Sequence, residues 1–283
     1  MPRTYIPRFI ATIAATLAAI TLVSGSAIAA NPAKLFPDFA SQKPKLGSIA
    51  MLTDLIVVED VIGTTEKVYL VDCHHLGEAI LGTFADGLGP KGYSFSRKSV
   101  VSIGNVLNDK LQYRLLQTWD QHKKDDAQFP VVTPPFYEDS SLSAAGSSRS
   151  AWHAVLNGVW AFKKEKGKPA PPLAEIAGLH EAIGTDYALI IVVVGTKVPF
   201  GKQLGQGMLS NMTHVSGSHS GSSGTVSVNG GLDFTQYSGT GIRMAVVDCK
   251  TGEVMWADGD HEGTSLSEDR LEKLSKDVLK RMP

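Results

Sequence analysis

The sequence predicts an α/β fold, a mixed β-sheet flanked by helices. Three observations carry that reading. Cys73, Leu76, Ile80, Phe84 and Leu88 recur at steps of three and four, directly after the apolar strand pattern Val68–Val71. Tyr187–Val194 is an unbroken, largely β-branched apolar run that follows a helical pattern, as a strand buried on both faces should. The chain then closes with a hairpin pattern and an amphipathic helix. A sheet covered by helices is the layer arrangement that buries all of these faces together.

The elements follow in order. Arg3 and Arg8 precede the uncharged, mostly apolar run Phe9–Val23, and Ala27-Ile28-Ala29 supplies small residues for cleavage. The run is too short to span a bilayer comfortably, so residues 1–29 read as a secretory signal peptide. Val23-Ser24-Gly25 begins like a lipoprotein processing box, but Ser26 stands where a lipidated cysteine is needed. The exported chain is therefore expected to be released rather than acylated. Residues 30–44 hold Pro32, Pro37 and Pro44 without periodicity and read as a flexible N-terminal segment.

One α/β domain is expected over 45–283. Gly47–Val58 is a strand. Val68–Val71 is a second strand, and the helix after it ends at Gly89-Pro90. Tyr93-Ser94-Phe95-Ser96 alternates as a half-buried strand. A helical insertion is expected over 105–171. Leu111, Leu115, Trp119 and His122 would share one helix face, and Trp152, Val155, Leu156 and Val159 another. Pro- and Ser-rich Phe129–Ser150 would form the loop between them. Pro171-Pro172 opens a helix with Leu173, Ile176, His180 and Ile183 on its face, and Gly184 closes it. After the buried strand, Ile242–Asp248 and Glu253–Asp258 form a hairpin across Thr251-Gly252. Ser267 caps the last helix, Leu266 and Leu271 staple its entry, and Leu271, Leu274, Val278 and Met282 face inward.

A second insertion, 201–240, breaks the pattern. From Ser216 to Gly231, eleven of sixteen residues are Ser or Gly, too little bulk to offset ordering entropy. A flexible loop is one reading. A long interaction hairpin is the other: Thr225, Val226 and Val228 lie on one arm, Asn229-Gly230 is the turn pair, and Leu232, Phe234 and Tyr237 lie on the return arm.

Composition excludes several classes. A formal net charge of −1 argues against nucleic acid as the main partner. Beyond the signal, no stretch predicts a transmembrane helix. Cys73 and Cys249 each end a similar strand pattern, so they form a disulfide if those strands are neighbours and stay buried free thiols otherwise.

The chemical motifs are weak. Cys73-His74-His75 has metal-binding residue types, but adjacent histidines on a helix point apart, and only His261 with Glu262 is available to complete a site. Gly217-Ser218-His219-Ser220-Gly221 has His219 where a nucleophile elbow needs its nucleophile. In Gly201–Gly207 the lysine, Lys202, precedes the later glycines, unlike a phosphate loop. Asp72 and Asp248 at strand ends are a candidate acid–base pair, though such residues commonly cap turns. Trp256, facing the same side as Val254, reads as core. No catalytic, cofactor or metal site is assigned.

Three segments, in order, resemble a known family. They are Ile183-Gly184-Thr185-Asp186-Tyr187-Ala188-Leu189, the hairpin Val247–Trp256, and Leu76–Tyr93 with its helix running into a Gly-Tyr strand. They are similar to the bacterial envelope lipoproteins that include CsgG, PelC and LpoB. The resemblance implies a sheet like the N-terminal domain of TolB and a CsgG-like sandwich. It also implies a periplasmic, outer-membrane-associated role without catalysis, and frequent ring-shaped homo-oligomers. Ser26 departs from that pattern, and 105–171 has no counterpart in it. The expected function is thus a periplasmic accessory or assembly protein of an export or envelope system, with an envelope or outer-membrane protein as partner. The alternatives are a secreted metal-dependent hydrolase using Asp72, His74, His75 or His261, and a soluble periplasmic small-ligand-binding protein with its pocket near Trp256.

Overall fold

A single helical turn, α1 (Phe39–Gln42), leads into β1 (Ser48–Glu59), the strand around which the sheet is laid out. The computed structural model describes residues 36–59, 66–123, 126–142, 146–162, 170–197, 239–262 and 266–283. The signal-peptide expectation, the His219 and Lys202 motifs and every residue of the 225–237 hairpin reading lie outside these. Residues 36–44 are not the expected flexible tail. They form α1 and a 3-10 turn, because Phe36 and Phe39 are buried against Phe162 and Trp256, with ring centroids 6.3 and 6.2 Å apart. That contact area offsets the cost of ordering them.

β2 (Lys67–Tyr69) is shorter than the sequence pattern predicts, and α2 (Leu70–Leu88) starts at Leu70. Val71, Asp72 and Cys73 are therefore helical. The expected stripe holds: Cys73, Ile80, Phe84 and Leu88 are buried. β3 (Ser94–Ile103) runs parallel to β1 and alternates in burial over its first half.

The middle departs from expectation. Leu111, Leu115 and Trp119 share no helix. Instead β4 (Tyr113–Leu116) pairs in parallel with β2, and β5 (Val131–Val132) pairs with β4. Spacings of four fit a helix, yet burying Tyr113 and Leu116 on the sheet edge is the stronger tertiary demand. β6 (Tyr137–Glu138) adds to β3. α3 (Gly146–Ala161) buries Trp152, Val155, Leu156 and Val159 as expected. Residues 174–179 form a 3-10 turn that passes into α4 (His180–Ile183), ended by Gly184 at φ +76°.

β7 (Tyr187–Lys197) lies inside the sheet between β1 and β8, and Ala188 to Val194 are fully buried. It runs parallel to β1 and antiparallel to β8 (Thr240–Asp248), which forms the expected hairpin with β9 (Val254–Glu262). α5 (Glu268–Arg281) follows, with the Ser267 side chain accepting from Arg270 N–H at 3.4 Å. The described residues thus hold a mixed sheet of nine strands, with the path β5-β4-β2-β1-β7-β8-β9 and β3 and β6 off it.

Two helices mark the two covered faces. Asp258 is bonded to Arg281 of α5, while Arg243, opposite Gly259, lies 5.6 Å from the Trp160 ring of α3. Successive residues of a strand face opposite ways, so α5 and α3 cover opposite faces. α2 lies beside α5, where Gly87 leaves room for Leu279. Among the described residues, no helix is long and apolar enough to cross a membrane.

Candidate functional site

The parallel strands β1 and β7 end side by side, at Glu59 and Lys197, and this carboxyl edge of the sheet carries the candidate site. Open α/β sheets bind ligands outside the carboxyl ends of their strands. β2 and the start of α2 form one wall there. The Leu266–Glu268 approach to α5 forms the other, held by the bond from Leu266 N–H to the Thr196 carbonyl at 2.8 Å. Gly195 makes room for Leu266.

Between them is a cavity of about 420 Å³, lined among others by Tyr69, Asp72, His75, Lys197 and Ser267. A polar network edges it. Tyr69 donates its hydroxyl to the Glu59 carboxylate. Glu59 sits across from Lys67 on one side and Lys197 on the other. The Lys197 ammonium lies 3.5 Å from the centre of the Trp119 ring, and that ring stands 4.9 Å from Tyr69. Asp72 accepts from Trp119 N–H at 2.7 Å and so fixes the turn that carries the indole. Burial lowers the Lys197 pKa, and the Asp72 and Glu59 carboxylates partly oppose that fall.

The chain matches no protein-family model, no curated protein and no solved structure.

The histidines divide as their helical positions require. His75 lines the cavity, whereas His74 meets Tyr137 edge-on at 5.2 Å and Glu78 at 3.7 Å. His261 is exposed on β9, opposite Gly241. Among the described residues, no three His, Cys, Asp or Glu side chains are grouped to hold a metal ion.

Asp72 and Asp248 are not a pair. Asp248 accepts from Lys250 and Thr251 N–H at 2.8 and 3.0 Å and caps the β8–β9 turn at the other end of the sheet.

Of the two readings left open for Cys73 and Cys249, a disulfide or buried free thiols, the structure has the free thiols. Cys73 sits beside Val57, near the carboxyl end of β1, while Cys249 follows the Asp248–Tyr187 pair at the opposite end. Most of the length of β7, roughly 25 Å at about 3.3 Å per residue, separates them. Both are buried free thiols. Burial pushes each up to about 12, so neither is a thiolate nucleophile at neutral pH.

Trp256 is wholly buried against Phe39, in the core as expected and remote from a ligand role. The sequence reading missed Glu59, Tyr69 and Lys197. The available signal was the end of each apolar run, where a charged residue marks the carboxyl edge. Without the strand order, nothing in the sequence says that those ends coincide.

Proposed function

We propose that this chain is a non-catalytic accessory or assembly protein of a bacterial envelope or export system. It is exported, periplasmic and not acylated, and it binds other subunits, its own copies included, at the carboxyl edge of its sheet. One observation carries the reading. β7 and β8 stay paired up to Gly195 and Thr240, and beyond that pair Thr196 N–H bonds the Gly239 carbonyl at 3.0 Å while Gly239 N–H bonds the Thr196 hydroxyl at 3.1 Å. The ends of β7 and β8 are therefore held together beside the Lys197 cavity. The parallel strand ends, the closed β7–β8 ladder and the cavity thus meet at one edge, which suits recognition of a partner strand. The resemblance to the CsgG group supports the same role.

Light scattering on the full chain, with and without residues 216–231, tests it. The expected result is an oligomer whose mass falls when the segment is deleted. A monomer in both cases contradicts the reading.

The cavity supports a second reading, a small-ligand-binding protein. Its volume lies within the roughly 300–1,000 Å³ range of small-molecule sites, and Lys197 on Trp119 is a charged group on an aromatic platform. A ligand-dependent change in Trp fluorescence that is lost in Trp119→Phe favours this reading.

A further inference from the structure

A second cavity, of about 380 Å³, shares no lining residue with the first and lies where the chain leaves β3. The loop Gly104–Leu107 forms one side of it and is held from inside the sheet. Asp54, wholly buried in mid-β1, accepts from the Ser102 hydroxyl at 2.6 Å and from Asn105 N–H at 3.1 Å. Gly104 takes φ +83° under the Phe136 ring, where a side chain would collide. Asn105 is buried and fixed in place.

Asn105 in turn fixes an imidazole. Nδ1 of His153 lies 2.7 Å from the Asn105 backbone carbonyl and 3.1 Å from its side-chain oxygen. A carbonyl oxygen only accepts, so Nδ1 carries the proton. The neutral ring has one N–H, which leaves Nε2 as a bare lone pair. His153 lines the cavity, and Nε2 has no protein partner among the described residues. Arg149, one turn earlier on α3, lines it too. Its Nε lies 3.4 Å from Glu138 and an Nη donates to the Pro134 carbonyl at 3.5 Å, which anchors one side of the fork and leaves further donors available. Asp109 adds a carboxylate, and Leu107 and Pro135 add apolar wall.

The groups are complementary to one kind of molecule. A simple anion at Arg149 shares the cavity with the Asp109 carboxylate and a lone pair, and a simple cation at Asp109 shares it with Arg149. A ligand with a carboxylate and an adjacent ammonium satisfies all three. We propose that this cavity binds a small α-amino acid, its carboxylate on Arg149, its ammonium on Nε2 of His153 and on Asp109. Its side chain lies toward Leu107 and Pro135. Asp54 touches no ligand and is a positioning residue that acts through Asn105. The assignment is independent of the assembly role.

Nitrogen-15 NMR of the histidine rings in the full chain, titrated with each common amino acid, tests it directly. The free protein should show an unprotonated Nε2 at His153, and at least one amino acid should move that signal saturably. Its deaminated and decarboxylated analogues should each bind about tenfold more weakly or worse, since each lacks one charge-assisted contact. Arg149→Ala should cause a similar loss with an unchanged unfolding midpoint. Asp54→Asn should let the other ring tautomer appear and weaken binding severalfold. Three results overturn the proposal: an Nε2 that carries the proton in the free protein, no amino acid that moves it, or one-charge analogues that bind as tightly as the amino acid. An unchanged ring spectrum in Asp54→Asn removes Asp54 from the account.

Discussion

Arg281 Nε donates to the Asp258 carboxylate at 2.6 Å, tying the last turn of α5 to a fully buried acid on β9. The same guanidinium reaches Asp260 at 3.1 Å. Removing Arg281 takes the guanidinium from the buried Asp258 carboxylate, to which Gly259 N–H also donates at 2.7 Å. Arg281 is itself 32% exposed, so Arg281→Ala should cost about 2–3 kcal/mol, just below the range for wholly buried pairs. Urea unfolding measures it. Adding Asp258→Asn to that variant should recover part of the loss, because the buried side chain is then neutral. A loss below about 0.5 kcal/mol, typical of surface pairs, contradicts the pairing.

Asp54 gives stability a pH signature. Burial raises its pKa from 3.8 to about 6, and the bonds from Ser102 and Asn105 oppose the rise only partly. A group whose folded pKa is raised contributes fully below its unfolded pKa, and that contribution is lost as pH rises through the folded value. Relative to Asp54→Asn, the wild type should lose about 2 kcal/mol between pH 4 and pH 7. Paired unfolding curves across that range check the sign. A wild type that gains on Asp54→Asn as pH rises contradicts it.

Much of the fold was legible because periodicity and burial agree there. The apolar run Tyr187–Val194, the α2 stripe and the β8–β9 hairpin are each dictated by local pattern, and each lies where the pattern puts it. Residues 111–123 were not legible. Four-residue spacing at Leu111, Leu115 and Trp119 favours a helix locally, and only the pairing of Arg114 with Lys67 makes that segment a strand. Which of the two cysteine readings holds was hidden for a related reason. Val68–Val71 resembles Met244–Val247 in composition, but α2 begins at Leu70 and carries Cys73 into a helix at the far end of the sheet. The candidate site joins Glu59, Tyr69, Trp119 and Lys197 from four segments, and only the strand order brings them together.

Gly252 sits at φ +77°, and a Cβ there would lie 2.7 Å from the Leu173 carbonyl oxygen. Leu173 N–H also bonds the Gly252 carbonyl at 2.7 Å, so the β8–β9 turn and the approach to α4 are locked together. Gly252→Ala must therefore move backbone as well as adopt a left-handed conformation, at a cost of at least about 2 kcal/mol. Thermal melting should register a clear fall, and an unchanged midpoint contradicts the contact.

Cys73 and Cys249 should remain unbonded even under oxidising conditions. Non-reducing peptide mass mapping should recover both as free thiols, and thiol labelling should be slow until the chain is unfolded. A peptide pair joined through these two residues contradicts the strand order itself.

Hydrogen exchange on the full chain at high and low protein concentration tests the central claim most directly. Association through the carboxyl edge predicts added protection at high concentration around Val57–Glu59, Tyr69–Cys73 and Lys197. Protection confined to the opposite end, around Gly184–Tyr187 and Asp248–Glu253, or no concentration dependence at all, contradicts it.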